Sequence, residues 1–187
     1  MKKEIKNKQA LFPMPVLLIS TFNEDGTVDV MNAAWGTMLE MDEVLLNLSS
    51  SHKTVKNIKA RKGLVVHIAD AKHVKEADYF GMVSANKVKD KFVKSGMTFT
   101  KSEVVDAPII NELPIAIECE FERFNIVEEE YGVIAKVKRV SVDEELLKDG
   151  KVDIDALEAI AFDPFTNGYY KVGNRVADAF KVGLKIK

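Results

Sequence analysis

Ile115-Ala116-Ile117-Glu118-Cys119-Glu120-Phe121-Glu122-Arg123-Phe124 alternates apolar and polar side chains, the pattern of a β-strand with one dry face and one wet face. Its partner is Tyr131 to Val142, reached through the acidic turn Glu128-Glu129-Glu130. This pair predicts the longest strands of the chain. Pro15 to Phe22 is a short β-branched apolar run, Asn23-Glu24-Asp25-Gly26 is a turn with glycine last, and Thr27 to Asn32 returns as a second strand. Val44 to Leu48 predicts a third strand. Leu64 to Ala69 is nearly continuous in apolar residues and reads as a central strand covered on both faces.

Helical signals are fewer. A helix is expected from Ser51 to Arg61 with Val55 and Ile58 inward, stopped by Gly63. Lys72 to Gly96 turns helical twice, with Ser84-Ala85-Asn86 between the segments and Ser84 or Asn86 placed to cap the second. A polar insert runs from Asp143 to Asp155. Tyr169 to Gly173 and an amphipathic helix through Phe180 close the chain. Many short antiparallel strands with a few helices point to a mainly β, α+β architecture: a β-barrel of Greek-key type with external helices, in one domain over residues 1–187.

Composition restricts function. Hydrophobic residues make up 47% and charged residues 30% of the 187, so the chain has material for a core. The 27 basic and 29 acidic residues are interspersed and leave a formal charge of −2, which calls for neither nucleic acid nor an anionic membrane as partner. Cys119 is the one cysteine, reads as a small buried hydrophobe, and suits a reducing cytoplasm. No apolar run has the length of a membrane span. His67 lies in an apolar strand and reads as a satisfied core residue, and no metal-ligand spacing accompanies the histidines. Dinucleotide-binding and P-loop glycine patterns and the Gly-x-Ser-x-Gly elbow are missing too. No protein acid, base or nucleophile is expected to be catalytic.

One stretch does carry binding chemistry. In Leu46-Asn47-Leu48-Ser49-Ser50-Ser51-His52-Lys53-Thr54 a strand runs through three serines into a helix. The N–H groups of a helix's first turn lack internal partners and lie at the positive end of its dipole, so an anion binds there. Ser51 is placed as N-cap; Ser49, Ser50 and Thr54 offer hydroxyl donors, and His52, Lys53 and Lys56 add charge. The plainer alternative is that Ser51 caps a surface helix. A phosphate seat without catalytic side chains points to a ligand that carries its own chemistry, such as a flavin nucleotide.

The order of Pro13-x-Pro15-Val16-x-Leu18-Ile19-Ser20-Thr21, Asn32-Ala33-Ala34-Trp35 and Ser51-His52-Lys53-Thr54-x-x-Asn57-Ile58 resembles the flavin reductase-like FMN-binding split-barrel family, in its flavoredoxin-type branch. Asp78-Tyr79-Phe80-Gly81, Ser84, Lys87, Asp90-Lys91-Phe92, Ala107-Pro108, Pro114, Glu118-Cys119, Tyr170-x-x-Gly173 and Ala179-Phe180-x-x-Gly183 continue the likeness from Leu11 to Gly183. Departures are Met41-Asp42-Glu43 for a proline pair, His67 for a frequent asparagine and Ala85 for a frequent glycine.

The resemblance implies a homodimer of split barrels, each binding FMN noncovalently, with NAD(P)H or a redox protein as electron donor. It assigns Met31, Asn32, Ala33, Ala34 and Trp35 to the flavin ring and Ser49, Ser50, Ser51, His52, Thr54 and Asn57 to the phosphate stretch. Ser84 and Lys87 fall in a second loop near the phosphate or ribityl chain, and Tyr170 in a covering C-terminal segment. Trp35 as a core or interface anchor, and Tyr169 and Tyr170 as an ordinary strand pair, are the structural alternatives. A non-catalytic barrel holding a flavin, another phosphorylated ligand or a haem-like group is the functional alternative.

Overall fold

The computed structural model describes residues 1–127 and 130–186; Glu128 and Glu129 of the expected acidic turn lie outside them. The chain opens with β1 (Met14–Pro15), β2 (Leu17–Phe22), β3 (Val28–Ala33), β4 (Gly36–Glu40) and β5 (Glu43–Ser49). Helix α1 (Lys53–Arg61), β6 (Gly63–Ile68), α2 (Val74–Met82) and α3 (Lys91–Ser95) follow. A short ladder of β7 (Phe99–Lys101) with β8 (Pro108–Ile110) leads to the long strands β9 (Ile115–Val127) and β10 (Glu130–Val142). The insert forms β11 (Leu147–Lys148), β12 (Lys151–Val152) and α4 (Ile154–Leu157), before β13 (Ile160–Asp163) and β14 (Gly168–Lys171).

Seven strands make one antiparallel sheet in the order β3-β2-β6-β9-β10-β5-β4, and β1-β13-β14 form a second, small sheet. The large sheet thus ends at β3 and β4, which the chain joins directly but which do not pair, and the groove described below begins at that join. β6 lies between β2 and β9, the central position its apolar run predicts, and Leu64, Val65 and Val66 are buried from both faces. One core cluster packs Leu18, Val30 and Phe80 beneath α2; a second packs Ile19, Leu46, Ile58 and Val133 beneath α1.

Four expectations change. The wet face of β9 is dry in its first half: Ala116 packs with Val65 and Ala107 under the segment before β9, and Glu118 is fully buried. The stop of α1 is Lys62, whose left-handed φ of 63° sends its N–H to Ile58 O; Gly63 already belongs to β6. Glycine is needed there because an added Cβ would meet the Asp106 backbone at 2.7 Å. Neither Ser84 nor Asn86 caps α3, since the turn runs on to Asp90.

The fourth change is at the end of the chain. In place of the amphipathic helix through Phe180, residues 172–178 follow an irregular path and one 3₁₀ turn covers Val182–Lys185. Val176 and Phe180 are almost wholly exposed, and Asn174 and Phe180 take positive φ. A short helix draws its stability from packing an apolar face, and here Val176, Phe180 and Leu184 stay largely exposed.

Candidate functional site

Three adjoining cavities follow β3 and β4, the outer two against the small sheet and the third between β3, the start of α1 and the end of α2. The outer one, about 750 Å³, is walled by apolar residues including Leu11, Pro13, Trp35, Leu45 and Phe162. The middle one, about 410 Å³, shares Ala34 and Phe162 with the outer and adds Asp78 and Tyr169. The inner one, about 180 Å³, shares Asn32, Gly81 and Met82 with the middle and is bordered by Asp29, Met31, His52, Lys53, Thr54, Ser84 and Lys91. The result is a single groove, apolar at one end and bordered by Lys53 and Lys91 at the other.

The inner end is built at the start of α1. His52 takes the N-cap position with an extended backbone (φ −63°, ψ 140°), no side chain caps the helix, and no acid stands in its first turn. Its first N–H groups have no helical carbonyl to reach and are left for an anion. Ser51, the expected cap, instead shares a hydrogen bond with Ser49 through their hydroxyls at 3.0 Å. Opposite, the loop bearing Ser84 is fastened to this turn by Asn86 Nδ2 donating to Ser51 O at 3.0 Å. Lys91 is buried; its Nζ donates to Phe80 O at the end of α2 (2.9 Å) and borders the cavity. Burial pushes the Lys91 ammonium down from its ordinary value, and the nearby Asp29 offsets this in part.

In the middle, Asn32 reaches from β3 to Ala77 O on α2 (2.9 Å), and the Tyr169 hydroxyl donates to Asp78 Oδ1 at 2.9 Å. Burial, followed by the Asp78 bond, pushes the Tyr169 phenol up to about 12. At the outer end Trp35 is 53% exposed, so its large ring is presented at the groove rather than in the core. The N-terminal segment closes one wall, held by Asn7 Nδ2 on Pro164 O (3.0 Å).

Of the residues singled out in the sequence, Met31, Asn32, Ala34, Trp35, His52, Thr54 and Ser84 lie on the groove. Others do not. Ala33 is in the core beneath α1, and Lys87 is exposed on its loop with its backbone N–H on Ser84 O. Ser49 ends β5, and Ser50 and Ser51 form the turn before the helix, all three outside the walls of the inner cavity. Asn57 is buried and spends its amide on Thr21 Oγ1 (3.0 Å) and Asn23 Oδ1 (2.9 Å), bracing the first hairpin. Tyr170 faces away and packs edge-on against Phe12, ring centres 5.9 Å apart; strand alternation puts its neighbour Tyr169 in the groove.

Thr54 is buried, and its hydroxyl donates inward to Asp29 Oδ2 at 2.6 Å. Asp29, Lys91 and Tyr169 border the groove without a site role in the sequence, where Lys91 stands only in the family likeness and Tyr169 only in a strand pair. A lone lysine after an aspartate reads as a solvated helix residue, and its inward turn follows from the tertiary position of a helix only five residues long.

His67 and Cys119 are core residues, as the sequence suggests. The His67 Nδ1–H donates to Ile115 O (2.9 Å), its Nε2 accepts the Ile110 N–H (3.3 Å), and burial lowers its pKa to about 4. Burial pushes the Cys119 thiol up to about 12. Among the described residues no cluster of three or more His, Cys, Asp or Glu is arranged for a metal ion, and no helix is long and apolar enough to cross a membrane.

Comparison with known proteins follows the same line. Residues 9–157 match the family described as "Flavin reductase like domain". The fold superposes on the flavoredoxin of Desulfovibrio vulgaris (Miyazaki F) with a TM-score of 0.91 and 32% identity, over 98% of this chain and 100% of that one. A flavoredoxin from Methanosarcina acetivorans shares the fold at a TM-score of 0.88 and 24% identity, covering 98% of each chain. An FMN-binding domain of a flavin reductases-like enzyme from Shewanella baltica OS155 does so at 0.77 and 17%, covering 88% of each.

Proposed function

The chain belongs to the flavin reductase-like family, in its flavoredoxin-type branch, which at family level is one of flavin-binding oxidoreductases; from that premise we propose that it binds FMN noncovalently along the groove and passes electrons through it. The observation that carries the proposal is the polarity of the groove: apolar walls around Trp35 and Leu45 at one end, and Lys53, Lys91 and an uncapped helix start at the other. This matches a molecule with a flat ring, a polyol chain and a phosphate. FMN, when bound, supplies reversible hydride and electron chemistry at its ring.

The chain's own residues have separate tasks in this reading. Lys53, Lys91 and the first-turn N–H groups of α1 hold the phosphate. Asn32, Asp78 and Tyr169 offer hydrogen bonds to the polyol. Ala34 keeps the wall beside the ring thin, and Trp35 and Leu45 exclude water from one edge of it. No side chain of the groove is arranged as a nucleophile with a base, so the protein binds, orients and tunes the flavin.

The outer cavity opens to the surface beside β4, which leaves a face of the ring within reach of a donor. We place NAD(P)H or a redox protein there, and a second copy of the chain beside it. Support for the second copy is apolar exposure: Trp35, Met38, Leu39 and Met41 around the edge strand β4, and Val176, Phe180, Leu184 and Ile186 along the C-terminal arm. Its place would be the cytoplasm, where Cys119 stays a thiol.

The test is the visible spectrum of purified protein after incubation with FMN and gel filtration. A retained flavin spectrum that Lys53→Ala weakens for FMN, and leaves unchanged for riboflavin, supports the reading. No retention of either flavin by folded protein rejects it. Stopped-flow mixing of the loaded protein with NADH, NADPH or a reduced ferredoxin-type protein then identifies the donor.

A further inference from the structure

Asp29 has no task in the reading above. It is the second residue of β3, is 1% exposed and borders the inner cavity. One oxygen, Oδ2, accepts the Thr54 hydroxyl at 2.6 Å; the other, Oδ1, is buried without a hydrogen-bond partner among the described residues. The charged groups that face it are Lys91 on α3 and Lys53 and His52 at the start of α1. None forms an ion pair with it within 4.0 Å, and Lys91 Nζ is on Phe80 O instead. Burial pushes the Asp29 carboxyl up from its ordinary value, and the Thr54 hydrogen bond and the Lys91 and Lys53 ammonium groups offset this only in part.

This arrangement is at odds with an anion in the cavity. A hydroxyl has one proton, and Thr54 has given its proton to the carboxylate behind it, so only lone pairs face the ligand. An ionised carboxylate behind that hydroxyl would also repel the phosphate across a water-poor wall. Both conflicts disappear if the hydrogen bond reverses. A protonated Asp29 can donate to Thr54 Oγ1 at the same 2.6 Å, and the Thr54 hydrogen then turns toward the cavity.

Building on the assignment of the inner cavity to the phosphate of the flavin, we propose that Asp29 is a proton-coupled positioning residue: phosphate binding draws one proton from solvent onto Asp29 Oδ2, and the reversed hydrogen bond makes Thr54 a donor to the phosphate. No other bond forms or breaks. The site then prefers phosphorylated flavin at lower pH and discriminates less well between FMN and riboflavin as pH rises.

The experiment is calorimetric titration of FMN, and of riboflavin as control, into the full chain at about pH 7.5, in buffers of different ionisation enthalpy. Free phosphate monoester is nearly all dianionic there, its second pKa being about 6, so its own titration contributes little. Net uptake approaching one proton per FMN is expected, with none for riboflavin. The uptake should persist in His52→Asn and in Lys91→Met, which remove the neighbouring imidazole and ammonium, and vanish in Asp29→Asn, whose amide can donate to Thr54 permanently.

Across about pH 7 to 8.5, where the phosphate stays mostly dianionic, the wild-type Kd for FMN should rise by up to about tenfold per unit, while Asp29→Asn stays flat and binds more tightly than wild type at the upper end. Should that variant not fold, Asp29→Ser, which has no carboxyl to titrate, must remove the pH dependence and the proton uptake in its place. FMN binding without proton uptake, or uptake lost in His52→Asn and kept in Asp29→Asn, overturns the proposal and leaves the flavin site standing. FMN binding no tighter than riboflavin at any pH overturns the phosphate assignment, and the proposal with it.

Discussion

Glu118 and Arg139 face each other across β9 and β10, and the guanidinium holds the carboxylate in two places, Nε to Oε1 at 2.5 Å and Nη2 to Oε2 at 3.0 Å. A shift in register between Val137 and Arg139 brings them opposite, the use a β-bulge commonly has. Ser102 adds a third hydrogen bond at 2.5 Å. Burial by itself would raise the Glu118 pKa, but the Arg139 and Ser102 bonds outweigh it and hold the carboxyl below its ordinary value.

Glu118→Ala should therefore cost about 3 kcal/mol, the lower part of the range for breaking a buried pair because Arg139 keeps one side in water. Glu118→Gln should cost less. Because the folded pKa is depressed, this contribution is present above the unfolded value of 4.5 and is lost as pH falls through the folded one. Urea denaturation at pH 7 and near pH 4 checks both statements: the gap between wild type and Glu118→Ala should narrow in acid.

His67 acts in the same direction by a different cause. Its ring is fully buried with both nitrogens engaged, and its pKa falls from 6.5 to about 4. Below about 6.5 the unfolded chain takes up a proton that the fold refuses. Stability should fall as pH drops from 6.5 toward 4, by about 3 kcal/mol in all. His67→Asn should lower stability at pH 7 and flatten this slope. A denaturation series at half-unit intervals decides it, and an equal slope in the variant would assign the acid sensitivity elsewhere.

Gly63→Ala should destabilise by about 1 to 3 kcal/mol, the usual range for overpacking, since the new Cβ meets backbone atoms of Asp106 at 2.7 to 2.8 Å that no rotamer can move. Substituting alanine at Gly26, where nothing lies within 4 Å, tests the conformational cost of a positive φ alone. Thermal unfolding of the two variants should separate the two causes.

Much of this fold is legible because apolar periodicity reports burial directly. The first hairpin, the central β6, the long β9–β10 pair and helix α1 all carry it. What periodicity cannot report is cover by a neighbouring segment. Glu118 and Ala116 sit on the polar phase of β9 yet are buried by the segment that precedes the strand and folds back over it. The candidate site divides in the same way. The strand-serine-helix signal locates the cationic end, because caps and free N–H groups are local. Lys91 and Tyr169 enter through the packing of α3 and β14, and Asn57 leaves it because the Thr21–Asn23 turn takes its amide.

Alternation along β14 makes Tyr169 and Tyr170 a matched pair of controls. Tyr169 borders the middle cavity and hydrogen bonds to Asp78; Tyr170 packs on Phe12 outside it. Tyr169→Ala should weaken FMN binding by about tenfold, the effect of about 1.4 kcal/mol. Tyr170→Ala should leave it within about twofold. Quenching of flavin fluorescence on titration gives both constants, and equal losses would move the polyol out of the middle cavity.

The exposed apolar residues allow the assembly to be tested separately from the flavin. Met38 and Leu39 on β4 belong to an edge strand, and an apolar edge left open invites pairing or aggregation. Val176, Phe180, Leu184 and Ile186 have no core of their own to enter. If a second copy covers them, the wild-type chain sediments as a dimer, and Met38→Glu with Leu39→Glu yields a monomer. Truncation after Gly173 should weaken the dimer without unfolding the sheet, since residues 174–186 contribute no strand to it. Analytical ultracentrifugation with circular dichroism of the same samples distinguishes these outcomes. A wild-type monomer at high concentration would show that these side chains serve a different partner, and the redox protein proposed at the mouth of the outer cavity would then be the first to try.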